Sequence, residues 1–397
     1  MGGVSSVPSR SASAWGSSGL AYLTGDGAPD FSRAAVLTRA DDIAADIATR
    51  TGLSLDAGAL LTGRAGLLRL TRRGRISAGG ATRLLSADDG WCAITLSRPD
   101  DVAAVPALVH ADAATEDPWP VLQRWAAARS VAEIRERAEL LDLPAAVLGE
   151  VNAAPPRKRS LWPLADTRGL AGLLVADLSS MWAGPLCGQL LAQAGATVVK
   201  VESPSRPDGT RAGHRAFFDW VNGHKLSFCV DFGRDEDQLR ALLTAADIVI
   251  EGSRPDALAR RRLGPHHLGP RPGRIWLRIN GYGADSRRPA FGDDAAVAGG
   301  LVGAGPVFCA DAIADPLAGL QATAVVLDSL DRGGGELIEV SMAAVAAGYA
   351  ALPTGPLASA HPAPPPSAPR PARTAPALGA DNDVVRRLLA QRGCLTC

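Results

Sequence analysis

The sequence predicts an α/β protein with an open, mostly parallel sheet, preceded by a smaller α+β domain. Three observations carry this. From residue 170 onward, short apolar runs ("LLVADL", "TVVKVE", "LSFCVDF", "DIVIEG", "RIWLRING") alternate with helical stretches such as "AGPLCGQLLAQAG" and "RDEDQLRALLTAA". Before residue 150 the order is different: helices, a hairpin, then helices again. Between them, "NAAPPRKRSLWP" (152–163) has three prolines, a basic cluster and no periodicity, which reads as a boundary. The later part is therefore a Rossmann-like large domain.

Taken in order, residues 1–17 are rich in Ser and Gly and read as disordered. Residues 18–151 form the small α+β domain. "AAVLTRADDIAADIATRTG" and "SLDAGALLTGRAGLLRLTRRG" have helical periodicity, with Asp41 as a cap and Gly52 and Gly63 as stops or close contacts. "GATRLLSADDGWCAITLSR" gives two strands around Asp88-Asp89-Gly90, a turn type that suits tight hairpins. Two helices follow, the second opened by a Ser130/Glu133 capping box. Residues 152–168 are the linker and 169–350 the large domain, with further helices at 294–304 and 312–331 and a late strand at 335–342. A Pro/Ala-rich connector (351–376) and a terminal helix with its tail (377–397) complete the chain.

A chain of 397 residues with 47% apolar content buries ample core. Basic and acidic residues balance at 41 each, which leaves no basic face for nucleic acid. No apolar run reaches membrane-span length and the N-terminus lacks the apolar core of a signal peptide, so the cytoplasm is the expected location. Four cysteines stand singly, and Cys394-Leu-Thr-Cys397 reads as tail rather than as a redox or zinc site. His266-His267, after a proline, reads as a surface turn, so no metal is expected. Dinucleotide, P-loop and hydrolase fingerprints are absent.

The polar stretch that invites chemistry runs from Gly283 to Asp294, a Gly/Pro loop leaving the C-terminal end of a strand. Ligands of open α/β sheets bind at that edge. Asp293 and Asp294 at the following helix start have two readings: helix capping, or a positioned nucleophile or base.

With these residues in view, the chain resembles the class III coenzyme A transferases, the family of formyl- and carnitine-CoA transferases and α-methylacyl-CoA racemases. "LLVADLSSMWAGPLCGQLLAQAGATVVKVESPSRPDGTR", "WVNGHKLSFCVDF", "ADIVIEGSRPDAL", "GRIWLRINGYG", "ADPLAGLQATAVVLDSL" and "GGGELIEVSMAAVAAG" match the family's segments in order over about 170–350. The small domain, usually placed later, comes first here, which implies a rearranged member. The resemblance implies an acyl-CoA:carboxylate CoA-transferase working through an aspartate and a mixed anhydride, on acyl-CoA thioesters and small carboxylic acids. A 2-methylacyl-CoA racemase-like enzyme and a non-catalytic acyl-CoA-binding subunit are the alternatives. Coenzyme A is a substrate and no tightly bound cofactor is implied. The assembly expected is a homodimer, or a hetero-oligomer with a paralogue. An ungapped match places Gly292 at the nucleophile's position; a slip of one residue brings in Asp293 and of two Asp294, with Asp293 favoured. Contacts to coenzyme A are expected from Ser180, Trp182, Ala183, Lys200, Lys225, Arg254, Gly281 and Gly283, although Ser180 stands where many members have arginine.

Overall fold

The computed structural model describes residues 7–112, 116–252 and 257–393, with side chains from residue 10 onward. In chain order it begins with α1 (Val7–Ser17), α2 (Leu20–Leu23), α3 (Ala34–Thr51) and α4 (Ala57–Leu68). The hairpin β1 (Thr82–Ser86) and β2 (Trp91–Thr95) follows, then α5 (Pro99–Ala103), α6 (Val105–Val109), α7 (Trp119–Ala127), α8 (Val131–Leu140) and β3 (Ala145–Val147). Next come β4 (Arg157–Ser160), β5 (Leu174–Asp177), α9 (Ala183–Gln193), β6 (Thr197–Glu202), α10 (Arg215–Asn222), β7 (Leu226–Cys229), α11 (Glu236–Ala245), β8 (Ile248–Glu251) and β9 (Ile275–Asn280). The last elements are α12 (Gly292–Ala298), the short hairpin β10 (Val302–Gly303) and β11 (Val307–Phe308), α13 (Ala314–Asp331), β12 (Glu336–Ser341), α14 (Met342–Ala350) and α15 (Asn382–Gln391).

The main sheet has the order β4-β12-β9-β8-β5-β6-β7, parallel throughout except for the antiparallel edge strand β4. Its six parallel strands thus follow the Rossmann order, and the winding reverses between β5 and β8. Strands such as β5 and β8 are buried along their whole length, which is why they read as continuous apolar runs rather than alternating ones. One face of the sheet packs on α9, α13 and the N-terminal helices. The other packs on α11 and α15.

Four boundaries differ from the sequence reading. The stretch expected to be disordered holds α1 from Val7, where Trp15 is fully buried and donates its indole N–H to the Asp30 carbonyl at 2.9 Å. One large aromatic with a hydrogen-bond partner anchors a segment that its Ser-rich composition disguises. Second, α3 and α4 belong to the large domain. Ala40, Ile43, Ala44 and Ile47 of α3, spaced as one helical face, are buried in the core shared with α13. At the end of α3, Arg50 bonds Asp328 at 2.8 Å and Asp331 at 2.7 Å on α13. Asp41 is inside α3 and caps nothing, because the helix already begins at Ala34. Only the three-stranded β1-β2-β3 sheet with α6, α7 and α8 keeps a core of its own.

Third, the linker contributes β4, paired with β12 although all four of its side chains are exposed. Edge pairing uses backbone groups and tolerates charge, so Arg157-Lys158-Arg159 hid a strand. Fourth, α12 stops at Ala298 rather than continuing to 304, at the Gly299-Gly300 pair. The connector at 351–376 forms neither helix nor strand; it lies back along the helices, where Ala375 donates its N–H to Asp219 at 2.9 Å. The capping box at Ser130/Glu133 and the hairpin turn at 88–90 stand as read. Cys394 and Cys397 lie outside the described residues. Among the described residues no helix is long and apolar enough to cross a membrane, and no group of His, Cys, Asp and Glu is arranged to hold a metal ion.

Candidate active site

The loop after β5 sits at the reversal point of the sheet, where such folds bind ligands. Two buried lysines brace it from beneath. Lys225 Nζ donates to Asp177 Oδ2 at 2.7 Å, to the Pro185 carbonyl at 2.8 Å and to Asn222 Oδ1 at 2.9 Å. Lys200 Nζ donates to the Ser179 carbonyl at 2.9 Å and pairs with Asp208 at 2.8 Å. Asp208 in turn accepts the Met181 N–H at 3.3 Å, which holds that residue at a φ of 74°. Gly188 has no side chain because a Cβ there would press on Asp177 and on Lys225. Burial works against the Asp177 charge, but Lys225 and Lys200 outweigh it and hold the carboxylate below its ordinary range. Burial also pulls Lys225 down to about 8, so the pair is charged at neutral pH.

This corrects the expectation that Lys200 and Lys225 contact coenzyme A: both spend their donors inside the protein. Trp182 is buried too, edge-on to Phe217 at 5.5 Å and beside Trp220 at 6.5 Å, so it fills core. Its indole N–H has no partner. Ser180 is exposed, and Gly281 and Gly283 are half-exposed. Gly283 donates its N–H to Asn280 Oδ1 at 2.6 Å, so that amide is committed within the loop. Arg254 lies outside the described residues.

The two predicted aspartates at the head of α12 have different surroundings. Asp294 is fully buried. It accepts the Phe291 N–H at 2.8 Å and the Thr95 hydroxyl at 3.1 Å, and the Tyr282 hydroxyl lies 3.3 Å from Oδ2. It therefore caps α12 and ties it to β2, which is the first of the two readings of this pair. Burial pushes it up to about 7. Asp293 is half-buried and accepts the Ala312 N–H at 2.9 Å. Burial, and then the neighbouring Asp311 charge, raise it to about 6.

A third carboxylate, Asp315, completes the group. A side chain at Gly292 would collide with the Asp315 carboxylate and with the Ala312 carbonyl. The Asp315 carboxylate thus lies over the position that the family match left without an acid. It accepts the Ala183 N–H at the start of α9, a helix with no side-chain cap of its own. Burial raises it to about 7, with Arg64 pulling the other way. Arg64, on α4, donates from Nη1 to both oxygens of the fully buried Asp311, at 2.6 and 2.7 Å. Ala183, buried and among the residues expected at coenzyme A, is thereby the amide that meets Asp315.

Sequence reasoning missed Asp315 and Arg64. The signal for Asp315 was available: it is an acid at the opening of the "ADPLAGL" helix, within a segment that matches the family. For Arg64 there was none.

The chain is similar to succinyl-CoA–D-citramalate CoA-transferase of Chloroflexus aurantiacus, 35% identical over 139 residues, 32% of each chain. It is 27% identical to succinate–glutarate CoA-transferase of Agrobacterium fabrum over 202 residues, 44% of this chain and 50% of that one. A solved structure from Mycobacterium tuberculosis overlaps 49% of this chain and 57% of its own at 29% identity, with a TM-score of 0.42. The chain thus spans about a third to a half of the curated relatives it matches. The family model of CoA-transferase family III matches residues 170–382, more than half of the chain, and the protein belongs to that family.

Proposed function

We propose that the protein exchanges coenzyme A between an acyl-CoA thioester and a small carboxylic acid, with Asp315 as the nucleophile. The carrying observation is the Asp315 carboxylate itself: half-buried, set over Gly292, and met by the Ala183 amide at the sheet's reversal point. Asp293 becomes a neighbouring carboxylate and Asp294 a cap. A carboxylate oxygen of Asp315 attacks the thioester carbonyl; the C–O bond forms, the C–S bond breaks, and coenzyme A leaves as the thiolate. The thiolate then attacks the aspartyl carbonyl of the mixed anhydride, giving aspartyl-CoA and the free donor acid. The acceptor carboxylate repeats both steps in reverse. The Ala183 N–H supports the aspartyl oxygen as charge builds on it. The same reading carries the family's paired assembly.

Relatives named for succinyl-CoA, citramalate and glutarate support short dicarboxylates as the first acids to offer. The test is chromatography of thioesters after mixing the protein with succinyl-CoA and glutarate. Glutaryl-CoA is expected, and its loss in Asp315→Asn. Binding of coenzyme A without exchange by any short acid would overturn the reading. One observation favours a second reading, α-proton exchange of the racemase type: Asp293 and Asp315 are lifted to about 6 and about 7, the range an acid–base pair needs. Solvent deuterium at the α-carbon would select it.

A further inference from the structure

The site carries a cation from outside the segment that matches the family. Residues 170–382 hold Asp293, Asp311 and Asp315, whereas Arg64 stands on α4 among the N-terminal helices. An incoming carboxylate must approach three acidic side chains, two of them lifted by burial and by neighbouring carboxylates: Asp293 by Asp311, and Asp315 by Asp293 and Asp311. Like charges at this range repel strongly in a partly buried setting, so binding an anionic substrate needs a fixed positive group. Arg64 is the cation that acts on both Asp293 and Asp315.

Its geometry leaves one edge over. Both bonds to Asp311 leave from Nη1, so Nη2 is not used on that carboxylate. Gly79, exposed in a turn, passes over the guanidinium and the Asp311 carboxylate, and a side chain added there would come into contact with both. The Arg64 side chain is 26% exposed while Asp311 is wholly buried, so the pair is anchored on the inside and open on the outside. The Phe217 ring lies 5.9 Å from the guanidinium carbon, a packing that limits its swing. A guanidinium held in this way presents a planar fork suited to a second carboxylate.

We propose that Arg64 binds the carboxylate of the acid that takes part in coenzyme A exchange and holds it beside Asp315. The assignment rests on the CoA-transferase reading and adds to it the residue that selects anionic acids. It also explains how the N-terminal helices enter the function: they bring the substrate's counter-charge to the α12–α13 junction.

Arg64→Gln alone would strand a buried Asp311, so the informative variant is Arg64→Gln with Asp311→Asn, which removes that ion pair as a unit. Arg64→Lys keeps the charge and loses the fork. Two readouts are taken on the full chain: KM for glutarate and for succinyl-CoA in exchange, and equilibrium binding of glutarate by calorimetry. The double variant is expected to raise KM and Kd for glutarate about tenfold or more, with KM for glutarate rising further than KM for succinyl-CoA, and Arg64→Lys to recover part of the loss. An unchanged KM and Kd for glutarate in the double variant, at wild-type thermal stability, would overturn the assignment while leaving the exchange reading intact. A wild-type protein that binds glutarate through Arg64 yet exchanges nothing would sink the exchange reading and leave Arg64 as a carboxylate ligand without that role.

Discussion

Lys225 and Asp177 meet at 2.7 Å with side chains that are 1% and 0% exposed, directly under the loop that leads into α9. Deleting one member leaves an uncompensated buried charge. Lys225→Met is expected to cost roughly 3–5 kcal/mol, measured by chemical denaturation. The double replacement Lys225→Met with Asp177→Leu should cost clearly less. Equal losses in the single and double variants would mean that the pair's charges do not brace the loop.

The aspartates of the α12–α13 junction make stability depend on pH. Asp293, Asp294 and Asp315 have folded values of about 6, 7 and 7 against an ordinary 3.8. The folded state therefore holds protons that the unfolded chain has released, and this contribution is full below about pH 4 and lost as pH rises through 6 to 7. Asp177, Asp208 and Asp247 are shifted downward and act only below that window. Tm should fall between pH 5 and pH 8, and Asp315→Asn should flatten the fall. A Tm that rises over the same interval would contradict the burial assigned to these groups.

Gly292 leaves room for Asp315 and for a backbone carbonyl that cannot swing aside. Gly292→Ala is expected to destabilise the protein by about 1–3 kcal/mol through overpacking and to lower exchange further, since it displaces the carboxylate. Calorimetry and thioester chromatography on the same preparation separate the two effects. An alanine tolerated in both would mean that Asp315 does not occupy this space.

The sheet was legible because its strands are buried on both faces and leave runs such as "LLVADL" and "DIVIEG" in the sequence. Edge strand β4 was not, since backbone pairing at an edge places no demand on Arg157-Lys158-Arg159. The site was legible only in part. Asp293 and Asp294 showed as acids at a helix start, and for Asp294 the local reading, capping, is what its bonds to Phe291 and Thr95 bear out. Lys200 and Lys225 looked like contacts to coenzyme A because a sequence does not display the carboxylates that pair with them inside the protein. Arg64 and Asp311 stand 247 positions apart, and no local pattern announces a contact of that span.

The central claim, that an aspartate of the protein carries the exchange, is tested most directly with acceptor acid labelled with oxygen-18 in its carboxylate. With succinyl-CoA as donor, fragment-ion mapping of the peptide holding α12 and α13 should find one heavy oxygen on Asp315 after a single turnover and up to two after many, because the mixed anhydride passes a carboxylate oxygen of the acceptor to the enzyme when coenzyme A leaves with the new acyl group. Heavy oxygen on Asp293 would move the nucleophile by one helix. Thioester exchange with no heavy oxygen on any aspartate would contradict covalent participation by the protein.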